Sequence, residues 1–117
     1  MTTNLDPRLF LLAREHIMQY GWKRGGGFVH GYHATRPCCL VDAVCVVHNQ
    51  LFPDTDPMLR YAAYVEYVRA LKETAGVATT DQLTEMNDSQ TDEAGQRWAV
   101  TVLMDTERRV RRAQWEQ

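Results

Sequence analysis

Apolar positions along most of this chain return every third or fourth residue, the spacing of one helix face. Leu9, Leu12, Ala13, His16, Ile17 and Tyr20 mark the first helix. Asp6 is placed to cap it, Pro7 suits its first position and Gly21 follows its last periodic residue. Between Trp22 and Pro37 the period is lost. The stretch "WKRGGGFVHGYHATRP" puts Gly25, Gly26, Gly27 and Gly31 close together and predicts a loop, with one short strand or β-hairpin around Phe28 to His33. No Gly-Lys-Ser/Thr follows the triple glycine, so it is not a phosphate loop.

From Pro37 to about Leu51 the chain is apolar almost all round. Asp42 and Asn49, seven residues apart, leave one narrow polar stripe, the two lying within about 20° of each other around the axis. A helix of this kind is buried, with the others packed around it. Asp56, Pro57 and Gly76 bound the next helix, whose expected core face is Met58, Tyr61, Ala62, Val65, Val68 and Leu71. Tyr61, Tyr64 and Tyr67 recur at spacing three and cannot all point inward, so an outer edge bearing tyrosine is expected. A short helical turn near Asp81 to Met86 leads through a polar turn to a last helix starting at Thr91. Trp98, Ala99, Val102, Leu103, Thr106 and Val110 are its inward stripe, with Asp92 and Glu93 at its start and Arg108, Arg109, Arg111 and Arg112 at its end, as the macrodipole favours. The pattern predicts one helical domain over residues 1–117: mainly α, compact, four to five helices around a buried central helix at about 37–51, with a Gly-rich loop or short β-hairpin at 22–36.

Composition narrows the setting. An apolar content of 44% over 117 residues is enough for a core without metal or disulfide staples. A net charge of −2 provides no global attraction to nucleic acid or anionic membrane. The N-terminus lacks the pattern of a signal peptide, and the apolar stretch Cys38 to Val47 is too short to span a bilayer. Three cysteines, two of them adjacent, make a poor disulfide framework and fit a reducing compartment. A cytoplasmic protein with no membrane partner is the expectation.

The candidate chemistry is concentrated in "HGYHATRPCCLVDAVCVVHNQ", which holds three of the four histidines and all three cysteines. His30, His33, Cys38, Cys39, Cys45 and His48 are zinc-type ligands, but no Cys-x-x-Cys occurs and Cys45 sits in an apolar run, so neither a metal site nor a cofactor is expected. Cys38 and Cys39 are possible reactive thiols, because with Pro37 first in the helix they fall at its second and third positions, where thiol pKa values drop. His48 is more than two turns along the same helix, however, leaving only His30 or His33 to serve as a base. "RRVRRAQW" could hold nucleic acid through its arginines and Trp115, but the acidic residues leading into the same helix (Asp81, Glu85, Asp88, Asp92, Glu93) oppose a phosphate backbone, and a solvated helix end is the preferred reading.

Three segments carry a resemblance: "YGW" at Tyr20 to Trp22, "CCLVDAV" opening the buried helix, and "LTEMNDSQTDEAGQRWAVTVL". The order Gly-Trp, Cys-Leu-x-x-Ala, Asn-Asp-x-x-Thr resembles a family of short proteins of unknown function from actinobacteria and their bacteriophages, across nearly the whole chain. Such proteins often have a small residue where Asp42 stands, so close packing at that point is in question. The resemblance carries no activity. It directs attention to Asn87, Asp88 and Thr91, which physically suit a turn and a helix cap; a polar cluster of Asn87, Asp88 and Cys39 would require the starts of two helices to converge.

With no complete catalytic set, the expected function is a small non-enzymatic interaction protein, encoded by or derived from a phage and binding a host protein. Phe28, Tyr32, His33, Tyr64, Tyr67 and Trp115 are the expected partner-binding residues, since aromatic side chains concentrate binding energy. A thiol-dependent enzyme using Cys38 or Cys39, and nucleic-acid binding through the C-terminal arginines, are the alternatives.

Overall fold

The computed structural model describes residues 5–25 and 36–116. Helix α1, Arg8–Tyr20, starts where the Asp6 carboxylate accepts the Arg8 N–H at 3.0 Å and pairs with the Arg8 guanidinium at 2.9 Å. Pro7 just before it already has helical φ and ψ. The helix ends at Gly21, whose φ of +102° is cheap only for glycine and whose N–H donates to the Ile17 carbonyl at 2.8 Å.

Helix α2 is Leu40–Leu51, so the expected start at Pro37 is corrected by three residues. Cys38 is engaged elsewhere: its N–H donates to the Gly21 carbonyl and its carbonyl accepts the Lys23 N–H, forming a parallel bridge between Trp22 and Cys38. Cys39 is therefore extended and becomes the N-cap, its sulfur accepting the Asp42 N–H at 3.4 Å. The predicted loop or hairpin at 22–36 is described only at its two ends; residues 26–35, with His30, Phe28, Tyr32 and His33, lie outside the described residues.

Helix α3, Pro57–Ala75, is capped by Asp56 and ends at left-handed Gly76. Its buried residues are Tyr67, Val68, Ala70 and Leu71, whereas Met58, Tyr61 and Ala62 of the expected core face are exposed. The stretch "PMLRYAAYV" is apolar on nearly every side, so its periodicity did not define a direction. Helix α4, Thr80–Asp88, is longer than the expected turn because Thr79 and Gln82 form a full capping box. Helix α5, Asp92–Trp115, begins where the Thr91 hydroxyl accepts the Ala94 N–H at 3.1 Å.

Helix α2 is the buried centre, with α1, α3 and α4 against it, while α5 lies across α1 and α3. Leu9, Phe10 and Ile17 meet Leu40, Val44, Leu71, Leu83 and Leu103 in one core. Two hydroxyls add a polar tie between α3 and α5: Thr106 donates to Thr74 at 2.8 Å, and Thr74 donates to the Ala70 carbonyl.

Candidate functional site

The three segments behind the resemblance meet at one side chain. Asn87, 1% exposed in the last turn of α4, accepts the Trp22 indole N–H at 2.9 Å and the Leu40 N–H at 3.1 Å on Oδ1. Its Nδ2 donates to the Lys23 carbonyl at 3.3 Å and to Asp88 at 3.1 Å. Every donor and acceptor of that amide facing the bridge is thereby engaged, leaving no spare capacity for a ligand. Asp88 in turn accepts the Gly25 N–H at 2.8 Å, and Arg24 donates to the Gln90 carbonyl and pairs with Asp92 at 2.9 Å. The Trp22 ring lies on Gly95 so closely that a Cβ there would stand 2.2 Å from it. Asn87 does converge on the start of α2, and the arrangement is a structural clamp.

Cys38 and Cys39, 1% and 4% exposed, lie inside this clamp. His16, from the apolar stripe of α1, stands beside them: the Cys38 sulfur is 3.3 Å from His16 Nε2. That nitrogen is also 3.0 Å from the Arg36 carbonyl, which can only accept, so Nε2 carries the proton and is not a base toward the thiol. Burial, and then the Asp42 carboxylate, push Cys38 and Cys45 up to about 11 and Cys39 up to about 12. The helix start does lower the Cys39 thiol through the Asp42 and Val41 N–H groups, but burial outweighs it. Among the described residues, no group of three or more His, Cys, Asp or Glu side chains could hold a metal ion.

A cavity of about 460 Å³ opens between α2, α3 and α4. Helix α2 and its N-cap supply Cys39, Asp42, Cys45 and Asn49, α3 supplies Pro57, Arg60, Tyr61 and Tyr64, and α4 supplies Thr80 and Thr84. Asp42, Cys45 and Asn49 follow one another at i, i+3 and i+7, so the narrow polar stripe of the sequence is the cavity floor. Asp42, where the resemblance departs, is on that floor, and its side chain is hydrogen-bonded with Cys39. The volume and the mixture of apolar walls with a few polar groups are those of a binding pocket. Sequence reasoning missed Arg60, Thr80 and Thr84, which only the packing of three helices brings to one place; the Asp42–Asn49 stripe was the one signal of it.

Large apolar side chains continue from the mouth along the surface. Met58, Leu59 and Tyr61 on the first turns of α3 are 82%, 67% and 67% exposed, and Leu51 and Phe52 at the end of α2 are also exposed. Of the expected contact residues, Tyr64 is half-buried in the pocket wall and Trp115 is exposed. Tyr67 is not on the surface: it is buried, and its hydroxyl accepts the Asp6 N–H at 2.9 Å. Its neighbour His48 is also buried, packed on Phe52, Tyr64 and Tyr67, and neither ring nitrogen has a hydrogen-bond partner among the described residues. At the C-terminal end of α5, Arg108 pairs with Asp105 and Arg111 with Glu107, while Arg109 and Arg112 have no carboxylate partner among the described residues.

No helix among the described residues is long and apolar enough to cross a membrane. Neither a curated protein nor a solved structure matches the chain. Residues 1–109 do match the model of a family of unknown function, DUF6197, and the chain belongs to that family.

Proposed function

We propose that this protein is a non-enzymatic interaction protein whose docking surface is the groove between α2, α3 and α4 with the exposed start of α3 beside it. The observation that carries this reading is the exposure of Met58, Leu59 and Tyr61 next to a preformed apolar pocket. Single exposed apolar residues are common, but several large ones on the first turns of one helix beside a concave site mark a place where another molecule is received. Supporting it, the three thiols are held protonated and the Asn87 amide is saturated within the fold. The partner is a cytoplasmic protein that presents apolar side chains from a helix flanked by basic residues. A bacterial host protein is the class suggested by the resemblance to actinobacteriophage proteins. Asp56, Asp81 and Glu85 argue for the basic flank: each is exposed, adjacent in the chain to the lining residues Pro57, Thr80 and Thr84, and without a cationic partner among the described residues.

The test places a photo-crosslinking residue at Met58 and compares adducts in cell extract from wild type, Tyr61→Lys and Thr84→Trp backgrounds. The reading expects an adduct that disappears when the groove is charged or filled. An adduct that survives both substitutions, or no adduct at all, rejects this surface.

A further inference from the structure

The chain itself carries a helix of the kind this groove suits. The last turns of α5 put Arg108, Arg112 and Trp115 at spacings of four and three, one stripe of a helix, with Arg109 beside it. Trp115 is 88% exposed, the most exposed of the large apolar side chains among the described residues. Among the described residues, Arg109 and Arg112 lack carboxylate partners and Asp56, Asp81 and Glu85, next in the chain to the groove-lining Pro57, Thr80 and Thr84, lack cationic ones, and the two sets are complementary in sign. Tryptophan and arginine are also the residues that most often dominate an interface.

We infer that the C-terminal turn of α5 in one copy seats in the α2–α3–α4 groove of another, with Trp115 entering the pocket and Arg109 and Arg112 pairing with Asp56, Asp81 and Glu85. Docking within one molecule does not arise, because no α5 residue lines the groove and α5 is tied down near its end, Gln114 donating to the Leu5 carbonyl. The contact joins two different patches, so it is heterologous: each copy offers one tail and one groove, and association continues past the dimer unless a ring closes. The inference rests on the reading of the groove as a docking surface and gives it a second copy of this chain as occupant, in competition with the partner proposed above.

Sedimentation of the full chain over a range of concentrations tests it. The expected result is a mass that rises with concentration and falls back at high ionic strength, where exposed charges are screened. Trp115→Ala should weaken association about 30-fold or more, the scale of truncating a dominant interface tryptophan. Arg109→Glu with Arg112→Glu should do the same. Thr84→Trp, or Met58→Glu should the first disturb the fold, should disable the groove. Mixing a tail-disabled with a groove-disabled variant should restore one contact and give a dimer that grows no further. A wild-type chain that stays monomeric up to about 1 mM, the weak limit of specific binding, overturns the inference. So does a Trp115→Ala variant that associates like wild type, or a mixture that fails to pair. A crosslinked foreign protein lost with Thr84→Trp would in those cases still stand for the groove itself, which separates the two readings.

Discussion

Asn87 shows how much one polar side chain can hold together. It supplies the acceptor for a buried indole N–H and for the first helical N–H of α2, and donates to the strand-like segment of Trp22–Lys23. Asn87→Ala leaves these groups without partners and should cost about 2–4 kcal/mol, read as a shift in the urea midpoint at unchanged slope. Gly95→Ala should also destabilise, by about 1–3 kcal/mol, because the Trp22 ring has to move. His48 runs the other way. Burial, and then Arg60, lower its pKa below 6.5, so the unfolded chain takes up a proton first as pH falls. The stability this neutral imidazole allows is present above about pH 6.5 and is lost progressively below it. His48→Leu should remove that slope between about pH 6.5 and 5, and should raise stability at pH 7 by about 1 kcal/mol, since two unpartnered ring nitrogens disappear. Thermal melts of both proteins across that range check it; an unchanged slope would mean His48 is not its source.

At the scale of the element, caps and tertiary partners divide the work. The starts of α1, α3 and α5 follow local rules: Asp6, Asp56 and Thr91 each accept a nearby backbone N–H, and all three were legible as caps. The start of α2 was not. Pro37 is a good first residue for a helix, but pairing of the Cys38 backbone with Gly21 and Lys23 keeps that segment extended. Moving the start by three residues places Cys39 at the N-cap and Cys38 outside the helix, both buried. Alkylation by iodoacetamide at pH 7.5 should therefore be slower than for an unperturbed thiol by about 100-fold or more at all three cysteines, and should become fast on unfolding in urea. One fast-reacting cysteine in the native protein would contradict that account. Thr79→Ala should cost about 1 kcal/mol through loss of the α4 capping box.

At the scale of the whole molecule, the mainly apolar groove between α2, α3 and α4 and the arginine-bearing end of α5 are separate surface features. Because Met58 and Tyr61 are mostly exposed, Met58→Lys with Tyr61→Lys should leave unfolding free energy within about 0.5 kcal/mol of wild type. The same pair should lower retention on a hydrophobic matrix. Equal retention would mean that this patch does not dominate the apolar surface. A large loss of stability would mean instead that the first turns of α3 are needed for the fold.

Helix number, the caps and the buried identity of α2 were readable in the chain because they depend on local hydrogen bonds and on how apolar residues are spaced. A sequence nearly all apolar over ten positions has no exposed face to offer, so α2 had to be central. The rotation of α3 was hidden for the opposite reason: with apolar residues on every side of its first turns, only contact with His48 and Phe10 selected Tyr64 and Tyr67 for the inside. The clamp on Asn87, the approach of His16 to Cys38 and the three-helix pocket join residues 22 to 65 positions apart. No periodicity encodes such distances, and only the packed helices bring those groups within hydrogen-bonding reach.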